Sequence, residues 1–149
     1  MLISTRGRYA LRVLIDMAEN QNGSYIPMKD VAQRQGISLK YLEQILPVLS
    51  KNNYIEGVHG KGGGYKLTRN PKDYKVGDIL RLTEGSLAPV ACLECGAAPC
   101  ERADKCRTLN MWSRFHDMIN EFFDGVTIAD LMKDGLREME LTLESDDGL

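Results

Sequence analysis

Three residues, Gly36-Ile37-Ser38, separate two helical patterns, and this short connection limits the fold more than any other feature of the chain. Residues 27–35 open on Pro27, whose missing N–H suits a first helical turn. Gly36 then supplies a stop, because glycine enters the left-handed conformation that ends many helices. Ser38 can cap the next helix, which the pattern places over residues 39–52. Two helices so closely joined must cross steeply, as in a helix-turn-helix. The apolar set agrees: Val31, Ala32, Ile37, Leu42 and Ile45 fill the wedge between them, and Ala32 is small enough for close approach.

In that geometry the helix after the turn reads bases in the major groove. Ser38, Lys40, Tyr41, Glu43 and Gln44 are expected on its exposed side. Gln44 can pair bidentately with adenine, Glu43 can accept from cytosine N4, and Lys40 can reach guanine or phosphate. A solvated polar face is the competing reading of the same residues.

Beyond this helix, 55–58 and 65–67 read as short strands around His59-Gly60-Lys61-Gly62-Gly63-Gly64, a run that cannot be helix interior. No Gly-Lys-Ser/Thr ends the run and a strand follows it, which excludes a P-loop and a dinucleotide fingerprint. A wing is expected instead: glycines let backbone approach a phosphate or the minor groove, with His59 and Lys61 adding polar or cationic contacts.

Further helices are expected at 6–20, 76–84, 108–123 and from a Thr127 cap to about 134. In the long helix, Leu109, Trp112, His116, Ile119 and Phe123 recur at helical spacing. Charge is uneven. Residues 1–84 carry 13 Lys and Arg against 8 Asp and Glu, whereas residues 85–149 carry 6 against 13. A basic first part can attract nucleic acid, and the acidic remainder should avoid it. No stretch approaches the ~20 apolar residues of a membrane span. The start of the chain does not read as a secretory signal, so a cytoplasmic, reducing setting is expected. Only two histidines, His59 and His116, occur, in unlike contexts. With no credible nucleophile–base pair, an enzyme is not expected.

Four cysteines, Cys92, Cys95, Cys100 and Cys106, fall within fifteen residues of a stretch rich in Gly, Ala and Pro. Such a loop can fold around one metal centre, and thiolates suit zinc or an iron–sulfur cluster. A thiol switch is a third option. The spacing is not that of a zinc ribbon, and the residues alone leave these open.

Three motifs, in order, carry a family resemblance: Ser4-Thr5-Arg6-Gly7-Arg8-Tyr9-Ala10-Leu11, then Gly36-Ile37-Ser38-Leu39-Lys40-Tyr41-Leu42-Glu43-Gln44, then Gly60-Lys61-Gly62-Gly63-Gly64-Tyr65. Over roughly residues 1–135 the chain resembles the Rrf2 family of bacterial regulators, and most of all its iron–sulfur cluster regulators. The resemblance implies a mainly α fold with a small β-wing: a winged helix-turn-helix DNA-binding domain at 1–84, a cluster-binding loop at 85–107, a dimerisation helix and C-terminal helices at 108–143, and a flexible tail at 144–149. It implies a homodimer on a double-stranded, palindromic operator. Tyr41 and Gln44 fall on DNA-contacting positions of the family, Glu43 tunes operator choice, and His59 stands where a wing arginine is usual. Gly60 and Arg8 are counted with them as DNA-facing. The family's cluster ligands map onto Cys92, Cys100 and Cys106, and the cluster implied is iron–sulfur, foremost [2Fe–2S]. The fourth-ligand position, usually histidine, is Leu109 here. Cys95 is the candidate replacement, ahead of His116 or a group from a partner subunit. On the apolar face of its helix, His116 reads first as a satisfied core histidine. The alternatives are a structural zinc site or a signal delivered by a protein partner.

Overall fold

The computed structural model describes residues 2–133. Helix α1 spans Thr5–Asn20, and its Ser4 cap accepts from the Gly7 N–H, satisfying one of the donors every helix start leaves free. Helix α2 (Met28–Gln35) begins one residue later than expected: Pro27 has extended backbone and is the cap, not the first helical residue. Gly36 ends the helix at φ 64°, ψ 32°, the left-handed region expected of it. Ser38 caps α3 (Leu39–Lys51) by accepting from the Tyr41 N–H at 3.1 Å.

Pro47 lies inside α3. A proline there removes one intrahelical bond and crowds the preceding turn, at ~3 kcal/mol in a typical helix. The helix persists because Leu42, Ile45, Leu46 and Leu49 are all buried on one face, while Pro47 faces solvent.

That face joins the main core, which gathers Ala10, Val13, Leu14 and Met17 of α1, Val31 of α2 and Ile55. Strands β1 (Ile55–Val58) and β2 (Gly64–Leu67) form an antiparallel hairpin with Ile55 opposite Leu67 and Val58 opposite Gly64. The hairpin does not stand alone. Ile26 pairs with Tyr65 through two backbone bonds of 2.8 and 3.0 Å, so a single antiparallel bridge ties the segment before α2 to β2. Gly64 is required at this crossing: its φ is 153°, and a Cβ would overlap the Ile26 carbonyl.

Helix α4 (Val76–Glu84) packs on α1, where Gly7 leaves no room for a Cβ beside Leu80 and Glu84. The Glu84 carboxylate accepts from the Ser4 hydroxyl at 2.6 Å. A second, smaller core holds Val76, Leu80, Leu87, Ile119 and Val126. It joins α4 to α5 (Leu109–Asp124). Helix α6 (Ile128–Leu131) closes the described part with a Thr127–Asp130 capping box. The helix is shorter than expected: it stops at Leu131, where Met132 takes extended backbone, and does not run on to about 134. The C-terminal helical residues expected at 134–143 and the tail 144–149 lie outside the described residues.

Only Ile119 of the expected α5 stripe is buried; Leu109, Trp112, His116 and Phe123 are half-buried. A second stripe, Met111, Phe115, Met118 and Phe122, is exposed. Spacings of four, three and four place these side chains on one helical face. No described helix is long and apolar enough to cross a membrane.

Candidate nucleic-acid interface and cysteine loop

Helix α3 presents Ser38, Lys40, Glu43 and Gln44 to solvent, as the sequence anticipates. Tyr41 differs. It is half-buried, with its ring edge-on to Tyr9 at 5.2 Å and an interplanar angle of 72°. Arg12 lies over the same Tyr9 ring, 5.1 Å from its centroid, and donates to the Gln35 side chain and backbone carbonyl. Tyr41 therefore joins α3 to α1 through an aromatic contact and stays only partly exposed. The reason is angular: Tyr41 precedes buried Leu42 and sits at the margin of the packed face.

The crossing of α1 and α2 is held by a buried carboxylate. Asp16 accepts from Arg34 at 2.7 and 3.0 Å and from the Gln35 amide at 2.9 Å. Hydrogen bonding to Asp16 pushes the Arg34 guanidinium above its ordinary value, and burial opposes the rise. Removing either partner should tilt α2 and with it the entry to α3.

The wing loop runs from His59 to Gly63, and His59, Gly60 and Lys61 are exposed. Gly60 and Gly62 have φ of 95° and 78°, and the Gly63 N–H donates to the Gly60 carbonyl, so the tip is a tight glycine turn. At the wing's base Lys66 pairs with Glu56 at 3.2 Å and lies over Tyr25. Its hydrogen bond to Glu56 raises it above the usual lysine value. Arg8 is exposed on α1 and donates to the Thr5 hydroxyl at 3.1 Å.

All four cysteines are free thiols on the surface. The loop between α4 and α5 contributes one short turn, Ala91–Leu93, and is otherwise irregular. Among the described residues no three His, Cys, Asp or Glu side chains converge as a metal site. Cys106 precedes α5 and shares a 3.4 Å hydrogen bond with the Thr108 hydroxyl, which lowers its thiol below the ordinary value, aided by the Thr108 and Leu109 backbone. A thiol so placed gives up its proton more readily, as a metal ligand must.

Cys95 and His116 line one cleft of about 270 Å³, together with Arg81, Leu87, Leu93 and Asn120. His116 is thus half-buried beside a cleft, not enclosed in the core as first expected. Arg81, from α4, lines the cleft and reaches across to α5, donating to Asp124 at 2.7 Å and to Asn120 at 2.9 Å. This bridge was not legible in the sequence, since 43 residues separate Arg81 from Asp124. The donor chemistry of the loop, four exposed thiols, is of the kind that suits a thiolate-ligated metal group, and Cys95 and His116 share the cleft beside it.

Residues 3–134 match the family model described as "Rrf2: Iron-dependent Transcriptional regulator". The chain is 34% identical over 132 residues to the HTH-type transcriptional regulator IscR of Escherichia coli, covering 89% of this chain and 80% of that one. Among solved structures it is similar to T. potens IscR, with 36% identity, a TM-score of 0.70, and 90% and 88% of the two chains covered. It is similar to the same degree to CymR, the global cysteine regulator of B. subtilis: 34% identity, TM-score 0.70, 88% and 95% covered.

Proposed function

The chain belongs to the Rrf2 family of transcriptional regulators, and from that premise we propose that it is a cytoplasmic homodimer that reads a palindromic DNA operator and adjusts its grip to iron–sulfur status. It is a regulator by family, not an enzyme. The observation that carries the DNA reading is the pairing of an exposed α3, held at a fixed pitch by Asp16 and Gly36, with a glycine wing anchored to the same body at Ile26. In this reading Gln44, Glu43, Lys40 and Ser38 meet base edges. Tyr41 meets the backbone with its exposed part, while His59, Gly60, Lys61 and Arg8 lie along the phosphates.

The exposed stripe Met111, Phe115, Met118 and Phe122 supports the dimer, because four large apolar side chains on one helix face are best covered by a second copy. Cys92, Cys100 and Cys106 hold the cluster, with Cys95 as the fourth ligand from this chain. When bound, an iron–sulfur cluster supplies an iron–sulfide core that responds to iron, oxygen or nitric oxide. The loop that carries the thiols then shifts between two populations, and Arg81 conveys its order from the cleft to α4. A second reading, with structural zinc or a protein-borne signal, is favoured by the equal similarity to CymR.

Anaerobic purification tests both. A coloured protein with near-stoichiometric iron and sulfide, lost in Cys100→Ala without loss of helical signal, is the expected result. A colourless protein with one zinc per chain supports the second reading. If loaded and cluster-free protein bind every operator equally, the switch is refuted.

A further inference from the structure

Leu39 is the first residue of α3 and is 45% exposed, although leucine is among the residues most often buried. It belongs to neither core cluster. Its neighbours Ser38 and Lys40 are polar and exposed, and Glu43 stands four residues on, one turn along the same edge. Ala would serve the helix better at such a site, since an exposed leucine adds nothing through burial. Lys40 beside it, with Arg8 on α1 and Lys61 on the wing, are exposed cations of the same domain and favour a polyanionic occupant, and a polyanion offers few apolar groups.

In a DNA major groove the C5 methyl of thymine is the apolar group that a side chain can touch. We infer that Leu39 is a specificity-determining residue that packs on a thymine methyl, one base step from the pair addressed by Glu43. This deepens the operator-reading proposal and rests on it. One thymine per half-site is then selected by shape and apolar contact, and the carboxylate beside it selects a cytosine on the same edge. Losing one buried methyl costs ~0.8 kcal/mol, about a fourfold change in affinity.

The test is a protein–DNA double-mutant cycle on the full-length protein. An operator is first selected by wild type from a random duplex library, and each thymine is then replaced in turn by deoxyuridine, which lacks only the methyl. Wild type is expected to lose about fourfold at one thymine per half-site, Leu39→Met to keep that loss, and Leu39→Ala to show none, with all three equally helical. If wild type enriches no sequence, the operator-reading proposal itself falls. If it enriches one but Leu39→Ala keeps every deoxyuridine penalty, or merely binds all duplexes more weakly with the penalties intact, the role of Leu39 is overturned and operator reading stands.

Discussion

The Asp16–Arg34 clamp gives an asymmetry that can be worked out in advance. The Asp16 side chain is 3% exposed and that of Arg34 is 38%. Replacing Arg34 with Met takes away both guanidinium N–H groups, at 2.7 and 3.0 Å, and leaves a buried carboxylate with the Gln35 amide alone. Stranding a buried charge typically costs 3–5 kcal/mol, and water reaching the outer side of the pair brings the expected loss to ~3 kcal/mol. Replacing Asp16 with Asn strands nothing, because the guanidinium turns outward to solvent. Only charge-assisted hydrogen bonds are lost, at ~1–2 kcal/mol. With an m-value of ~2 kcal/mol per molar urea, Arg34→Met should lower the unfolding midpoint by roughly 1.5 M and Asp16→Asn by less than about 1 M. Urea titrations followed by circular dichroism and Trp112 fluorescence, at one fixed chain concentration, measure both. Equal losses, or a larger one for Asp16→Asn, would refute the claim that burial of the carboxylate, not the pair as such, holds the crossing of α1 and α2.

Gln44→Ala should weaken binding to the selected operator by about 1–3 kcal/mol and relax preference at one base, seen by repeating the selection with the variant. Lys61→Ala should weaken binding on all sequences and reduce the salt slope by about 1, measured by anisotropy at several salt concentrations; an unchanged slope removes Lys61 from the phosphates. Gly36 has open space around it, so Gly36→Ala should cost only the ~1–2 kcal/mol of left-handed backbone. Gly64→Ala adds overpacking against Ile26 and should cost ~2–4 kcal/mol in the same urea assay, and the reverse order would contradict the wing anchor. If the proposed dimer forms through the exposed α5 stripe, Met118→Asp should sediment as monomer where wild type sediments as dimer, with helicity unchanged; a variant that stays dimeric moves the interface elsewhere.

The helix-turn-helix was legible because its constraints are local. Gly36 needs a left-handed backbone, Ser38 needs a cap partner three residues on, and Leu42, Ile45 and Leu49 repeat at helical spacing. The wing was legible for the same reason, since glycines at 60 and 62 turn the chain with positive φ. Helix α5 was read only in part. Two apolar stripes run along it, and periodicity cannot say which one meets the chain's own core and which is left outside. Ile119 and Phe123 pack inward, while Met118 and Phe122, one residue before each, do not. The ion pairs Asp16–Arg34 and Arg81–Asp124 join residues 18 and 43 apart and leave no local trace. In the cysteine loop the sequence offers four clustered thiols but does not choose among zinc, an iron–sulfur cluster and a thiol switch, and the placement of Cys95 and His116 along one cleft depends on how α4 and α5 pack.

The two backbone bonds between Ile26 and Tyr65 divide the hairpin into a fixed base and a free tip. Tyr65 is stitched to the segment before α2, whereas a Cβ at Gly60 or Gly62 would meet nothing within 4 Å and Lys61 is exposed. Side chains at the tip can therefore be exchanged with small effect on stability, so in the proposed reading the tip's contacts can be retuned independently of α3.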